Sequence, residues 1–208
     1  DARRAKRRGF IYSLVQSGWP VGSVLAAAAI IGLVQGVLQG YVAQTLRTVA
    51  VVGLDDALVV APGLTLDDKR RVNAALLDSG VTELRIANRT RLRAEQIRAE
   101  FGPRVVVHDW AGAGAMLEGA ITVVNATSMG MVGKPPLQVP LDALAPGTLV
   151  TDLVYTPLVT PLLAEAQARG CEVVDGLGML LHQAAPGFER WFGIRPEVDE
   201  DLRAAVLA

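Results

Sequence analysis

Beyond Arg47 the chain alternates short, β-branched apolar runs with stretches of helical period, and few architectures accept that rhythm. Strand–helix alternation of this kind calls for βαβ units and a parallel sheet. The runs predict strands over residues 57–61, 83–87, 104–108, 121–125, 149–153 and 172–174, with residues 48–52 a further candidate that has no evident place in the order. Each run is apolar almost throughout, as strands covered on both faces are. Between them, Ala94, Ile97 and Phe101 share a helical face while Arg91 and Glu95 stand four apart on the outer side, and Gly102-Pro103 stops that helix. Thr160-Pro161 reads as an N-cap and first turn, closed by Gly170. Residues 176–191 read as helix too, but Pro186 inside it should kink or divide it.

The first 47 residues are of another kind. Five of the first eight are basic, and between Arg8 and Arg47 there is no charged residue and no histidine. Glycines recur at positions 18, 22, 32, 36 and 40 around the run VLAAAAIIGLV. Three readings stay open: a membrane span through residues 18–42, long enough at roughly 20 apolar residues; a secretory signal led by Arg7-Arg8; and a buried helix of a soluble protein. The stretch RRAKRRGFIYSLVQSGWPVGSVLAAA weakly resembles a loop and following helix of major-facilitator transporters. The fold expected is therefore α/β, a Rossmann-like parallel sheet with flanking helices over 48–208, preceded by an apolar helical segment over 1–47.

Composition narrows the chemistry. Twenty Lys plus Arg against 21 Asp plus Glu leave a net charge of −1, which excludes the broad basic surface of a general nucleic-acid binder. One cysteine forms no internal disulfide, and two histidines assemble no zinc-ligand spacing, so no metal is expected. In a Rossmann sheet the loop after the second strand meets the adenosine ribose, and an acidic residue there binds the 2′-hydroxyl of NAD. Here that loop reads Asn88, Arg89, Thr90, Arg91, then Arg93. Guanidinium groups suit a 2′-phosphate, so NADP is expected rather than NAD; the alternative is that these cations merely solvate a helix start, where the dipole disfavours them. Two further polar clusters, NATSMGM at 125–131 and DLVYTP at 152–157, follow apolar strands, and small polar groups at strand carboxyl ends are where open α/β sheets bind ligands. GLGML at 176–180 leads to Gln183.

NRTRLR, NATSMGM, DLVYTPLVTPLL and DGLGMLLHQAAPGFERWFG, in that order, closely resemble the C-terminal half of shikimate dehydrogenase, from about residue 72 to the end of the chain. The resemblance implies an NADPH-dependent reduction of 3-dehydroshikimate to shikimate, in aromatic amino acid biosynthesis, by a cytoplasmic enzyme with a small-molecule substrate. It implies that Asn88, Arg89, Thr90, Arg91 and Arg93 grip the adenosine 2′-phosphate. Thr127, Ser128 and Met131 would line the nicotinamide side, Leu153 would touch it by backbone, and Gly176 would border the cofactor. Tyr155 would reach the substrate and Gln183 would hydrogen-bond one of its hydroxyls.

Two departures from the family pattern matter. The glycine-rich pyrophosphate turn is expected after the first strand, but residues 61–70 read APGLTLDDKR, with one glycine and two aspartates; Gly112-Ala113-Gly114 follows a later strand and reads as a loop. The only lysines, Lys6, Lys69 and Lys134, lie outside the family's catalytic context, so no catalytic residue is assigned. The competing function is a catalytically inactive NADP-binding piece, or a membrane-tethered one, lacking the substrate domain.

Overall fold

The computed structural model describes residues 48–52, 77 and 81–208. Six strands form one sheet there: β1 (Thr48–Val52), β2 (Glu83–Ala87), β3 (Val105–His108), β4 (Thr122–Asn125), β5 (Leu149–Asp152) and β6 (Glu172–Val174). The order is β3-β2-β1-β4-β5-β6, and every neighbouring pair is parallel. This confirms the doubly wound sheet and corrects the reading of 48–52. That run is no leftover but the central strand, registered with β2 on one side (Val51 opposite Ile86) and β4 on the other (Val51 opposite Val124). Its place depends on distant pairing partners, which local composition does not reveal. The strand expected over 57–61, the turn over 61–70 and the apolar segment 1–47 lie outside the described residues. So does the span proposed over 18–42; among the described residues no helix is long and apolar enough to cross a membrane.

Helix α1 (Arg91–Phe101) turns Ala94 and Ile97 onto one face of the sheet and keeps Arg91 and Glu95 in an outer ion pair at 2.9 Å, as its period requires. Gly102, at φ +79°, ends it with an N–H donated to the Arg98 carbonyl. The same turn takes in Arg104, so β3 starts one residue later than expected. α2 (Pro161–Ala168) begins at Thr160, whose hydroxyl accepts from the Leu163 amide, and buries Leu162, Leu163 and Ala166 on the opposite face. α3 (Leu177–Phe192) continues through Pro186, so of the expected kink or division the division does not occur. A proline inside a helix costs about 3 kcal/mol; burial of Met179, Leu181 and Ala185 along the same helix offsets that cost. A final helix, α4 (Glu200–Leu207), is capped by Asp199 and carries Glu200 and Asp201 in its first turn, where the dipole favours acids.

Two apolar layers sandwich the sheet. Leu84, Ile86, Val124 and Leu153 pack with α1 and with Met179 of α3; Val123, Val150, Met116, Leu117 and Leu141 pack with α2 on the far face. Gly114 belongs to this second layer, in a loop as expected: a Cβ on it would sit 2.9 Å from the Pro140 carbonyl oxygen. With both faces covered, polar side chains gather where the strands end.

Candidate functional site

Those strand ends are all on one edge. β1 to β3 step outward in one direction and β4 to β6 in the other, so the crevice at the carboxyl ends lies where the winding reverses, between β1 and β4. Residues 88–93 follow β2 on this edge, residues 127–131 follow β4, residues 153–155 follow β5, and Gly176 follows β6. The sequence-predicted site residues are therefore brought to a single rim by topology. Gln183 falls in the second turn of α3, the helix that starts from the same rim.

At the β2 end, Asn88 is buried and its Nδ2 donates to the Thr90 carbonyl at 2.9 Å, which shapes the entry into α1. Thr90 stands at the N-cap but makes no side-chain cap, and the first turn holds no acid. Exposed arginines at 89, 91 and 93 beside a helix start that lacks a side-chain cap suit an anion. Arg91 already pairs with Asp109 through Nη1 and with Glu95 through Nη2, and both carboxylates hold its pKa up. His108, the last residue of β3, lies opposite Ala87. Burial first, and Arg85 next, lower its pKa, which keeps the ring neutral, and its Nε2 has no hydrogen-bond partner among the described residues.

At the β4 and β5 ends a buried polar network replaces the apolar pattern. Asn125 and Asp152 are register partners and both are fully buried. Asn125 Nδ2 donates to Asp152 Oδ1 at 2.9 Å, while Asn125 Oδ1 accepts from the Thr127 amide at 3.0 Å and the Thr127 hydroxyl at 2.8 Å. Thr127 Oγ1 in turn accepts from the Met129 amide at 3.0 Å. The Thr127 hydroxyl thus shapes its own turn, whereas Ser128 and Met131 remain half-buried on the rim. Asp152 also accepts from the Val154 amide at 2.9 Å and the Thr160 hydroxyl at 2.6 Å. Burial pushes its pKa up to about 6, against the three donors, which favour the carboxylate. The Val154 bond explains why β5 stops before Leu153: Leu153 N still reaches the Asn125 carbonyl at 3.0 Å, but the chain then bends round Asp152.

The two loops are tied to each other and to the β6 loop. Val132 N donates to the Thr156 carbonyl at 3.0 Å. Gly176 packs on the bend itself: a Cβ there would lie 2.6 Å from the Leu153 carbonyl oxygen. Arg203 of α4 grips Asp175 with Nη1 and Nη2, at 3.2 and 2.5 Å, while Asp175 accepts from the Leu177 amide at 3.0 Å. Tyr155 is half-buried against the Leu177, Leu181 and Leu202 cluster, and burial raises its phenol pKa, so it stays a hydrogen-bond donor. The sequence reading missed Thr160 as a partner of Asp152, and it missed His108. The signal for the network was present: Asn and Asp close two buried parallel strands.

Residues 176–206 match the family described as Shikimate 5′-dehydrogenase C-terminal domain. Over 139 residues the chain is 85% identical to a protein of Paracoccus denitrificans named shikimate dehydrogenase (NADP(+)), a stretch that is 67% of this chain and 49% of that protein. The chain is similar to NADP-dependent shikimate dehydrogenases. A namesake from Dinoroseobacter shibae is 61% identical over 139 residues, again 67% of this chain and 50% of that protein. The chain spans about half the length of the curated relatives it matches. Among solved structures, quinate dehydrogenase of Corynebacterium glutamicum in complex with NAD superposes with a TM-score of 0.70 at 30% identity, over 88% of this chain and 61% of that one. Shikimate 5-dehydrogenase of Thermus thermophilus in complex with NADP(H) and shikimate gives 0.66 at 27%, with the same coverage. One of these neighbours holds NAD and the other NADP(H), so the fold alone does not choose the coenzyme. The resemblance of the first residues to major-facilitator transporters finds no support in these relatives.

Proposed function

We propose that residues 48–208 form the coenzyme-binding part of a shikimate dehydrogenase-like oxidoreductase that uses NADPH to reduce 3-dehydroshikimate to shikimate. The observation that carries the coenzyme choice is the turn after β2. Where an NAD site places a carboxylate, this chain places Asn88 and then three exposed arginines at the start of α1. NADPH would supply the hydride, and the chain's residues would set its placement. Arg89 and Arg93, with Arg91 once it exchanges a carboxylate partner for phosphate, would hold the 2′-phosphate. Ser128, Met131 and the Leu153 carbonyl would border the nicotinamide, with Thr127 setting the turn that presents them and Gly176 letting the bend approach. Tyr155 and Gln183 would face a hydroxylated substrate.

A fluorescence titration with NADPH and NADH tests the coenzyme half. NADPH should bind more tightly, and replacing Arg89 and Arg91 together with Ala should weaken NADPH by tenfold or more while leaving NADH nearly unchanged. Equal weakening of both would mean that the arginines do not read the phosphate. Shikimate-dependent formation of NADPH tests the rest.

A further inference from the structure

Asp152 has no exposed surface and ends the buried strand β5. Burying a carboxylate is costly unless its lone pairs are used, and a chain built only for stability does as well with a packed apolar residue. No cation pairs with Asp152 among the described residues; its partners are Asn125, the Val154 amide and Thr160. Each of these leads into the rim. Asn125 carries the connection to Thr127 and, through its Nδ2, to the Met129 carbonyl at 3.3 Å. Val154 N fixes the bend on which the Leu153 carbonyl sits, and Thr160 anchors the start of α2.

We propose that Asp152 is a positioning residue of the coenzyme site. From beneath the rim it holds the 127–131 loop and the 153–155 loop at a set separation, so that the nicotinamide end meets two prearranged backbones. It touches neither coenzyme nor substrate. The adenosine end, three strands away at the turn after β2, does not depend on it. This inference rests on the coenzyme reading above and deepens it.

The test compares two ligands on the same chain: NADPH, and 2′,5′-ADP, which keeps the phosphorylated adenosine and lacks the nicotinamide. Asp152→Ala removes Oδ1, which accepts from both Asn125 Nδ2 and the Val154 amide and so joins the two loops. Loss of that shared acceptor predicts that NADPH binding weakens about tenfold, with 2′,5′-ADP unchanged within about twofold. Asn125→Ala, which cuts only the connection to the 127–131 loop, should show the same selectivity. Circular dichroism checks that both variants are folded. If both ligands weaken together, or neither does, Asp152 is a structural group and the proposal is wrong. Wild-type protein that binds neither ligand, or that binds NADPH and NADH alike, would instead overturn the coenzyme reading and the proposal with it.

Discussion

Replacing Gly176 with Ala isolates the close approach on which the rim depends. The backbone at Gly176, φ −78° and ψ −6°, is open to any residue, so conformational freedom is not the reason for glycine. Space is the reason. The new methyl would lie 2.6 Å from the Leu153 carbonyl oxygen, 2.7 Å from its carbon and 2.7 Å from the Val154 oxygen, all of them backbone atoms. Reaching ordinary contact at 3.4 Å needs the two loops to part by about 0.8 Å. Overpacking of that kind costs about 1–3 kcal/mol. For a chain of this size each kcal/mol moves the melting temperature by about 2–4 °C, so a drop of about 2–12 °C is expected by differential scanning calorimetry. Gly178, two residues on and inside α3, is the matched control: nothing lies within 4 Å of its added Cβ. There Ala should stabilise by about 0.5–1 kcal/mol, because only the helix-propensity difference remains. A Gly176→Ala protein as stable as wild type, or a Gly178→Ala protein destabilised equally, would refute the packing argument.

Thr160→Val removes both the cap on α2 and a donor to Asp152, and should cost about 1–3 kcal/mol in urea unfolding. Asp152 titrates near 6 in the fold, above its ordinary carboxylate value of 3.8, so the protonated form favours folding. Its stabilising effect is complete below about pH 4 and is lost as pH rises through about 6, a span worth about 3 kcal/mol; Asp152→Asn should flatten that part of the stability–pH curve, and a slope unchanged in the variant would assign it elsewhere. Arg203→Gln breaks the two-point grip on Asp175 and should loosen α4, costing about 1 kcal/mol and speeding proteolysis of the C-terminal segment more than of the sheet.

Much of the architecture was legible in local pattern. Short runs rich in Val, Ile and Leu located β2 to β6 within a residue or so, although in β2 Glu83 and Arg85 alternate with Leu84 and Ile86. The helix at 91–101 and the Thr160 cap followed from period and cap chemistry, both of which are local. The residues proposed for the site stand out in the sequence as clusters of small polar and cationic side chains placed after strands. Pro186 shows the limit: a local rule predicted a kink or a division, and the helix is not divided, with packing along it offsetting the proline's cost.

What the sequence determined by itself, then, is the alternation of strand and helix, the polar character of each strand end, and the cationic turn at 88–93, since each depends on neighbours within a few residues. Tertiary structure alone decided that Thr48–Val52 is the centre of the sheet, that Asn125 and Asp152 share a register, that Asp109 engages Arg91, and that Gly176 must be bare. These join residues that stand far apart along the chain, and proximity of that kind comes from the winding order of the sheet rather than from the chemistry of any one segment.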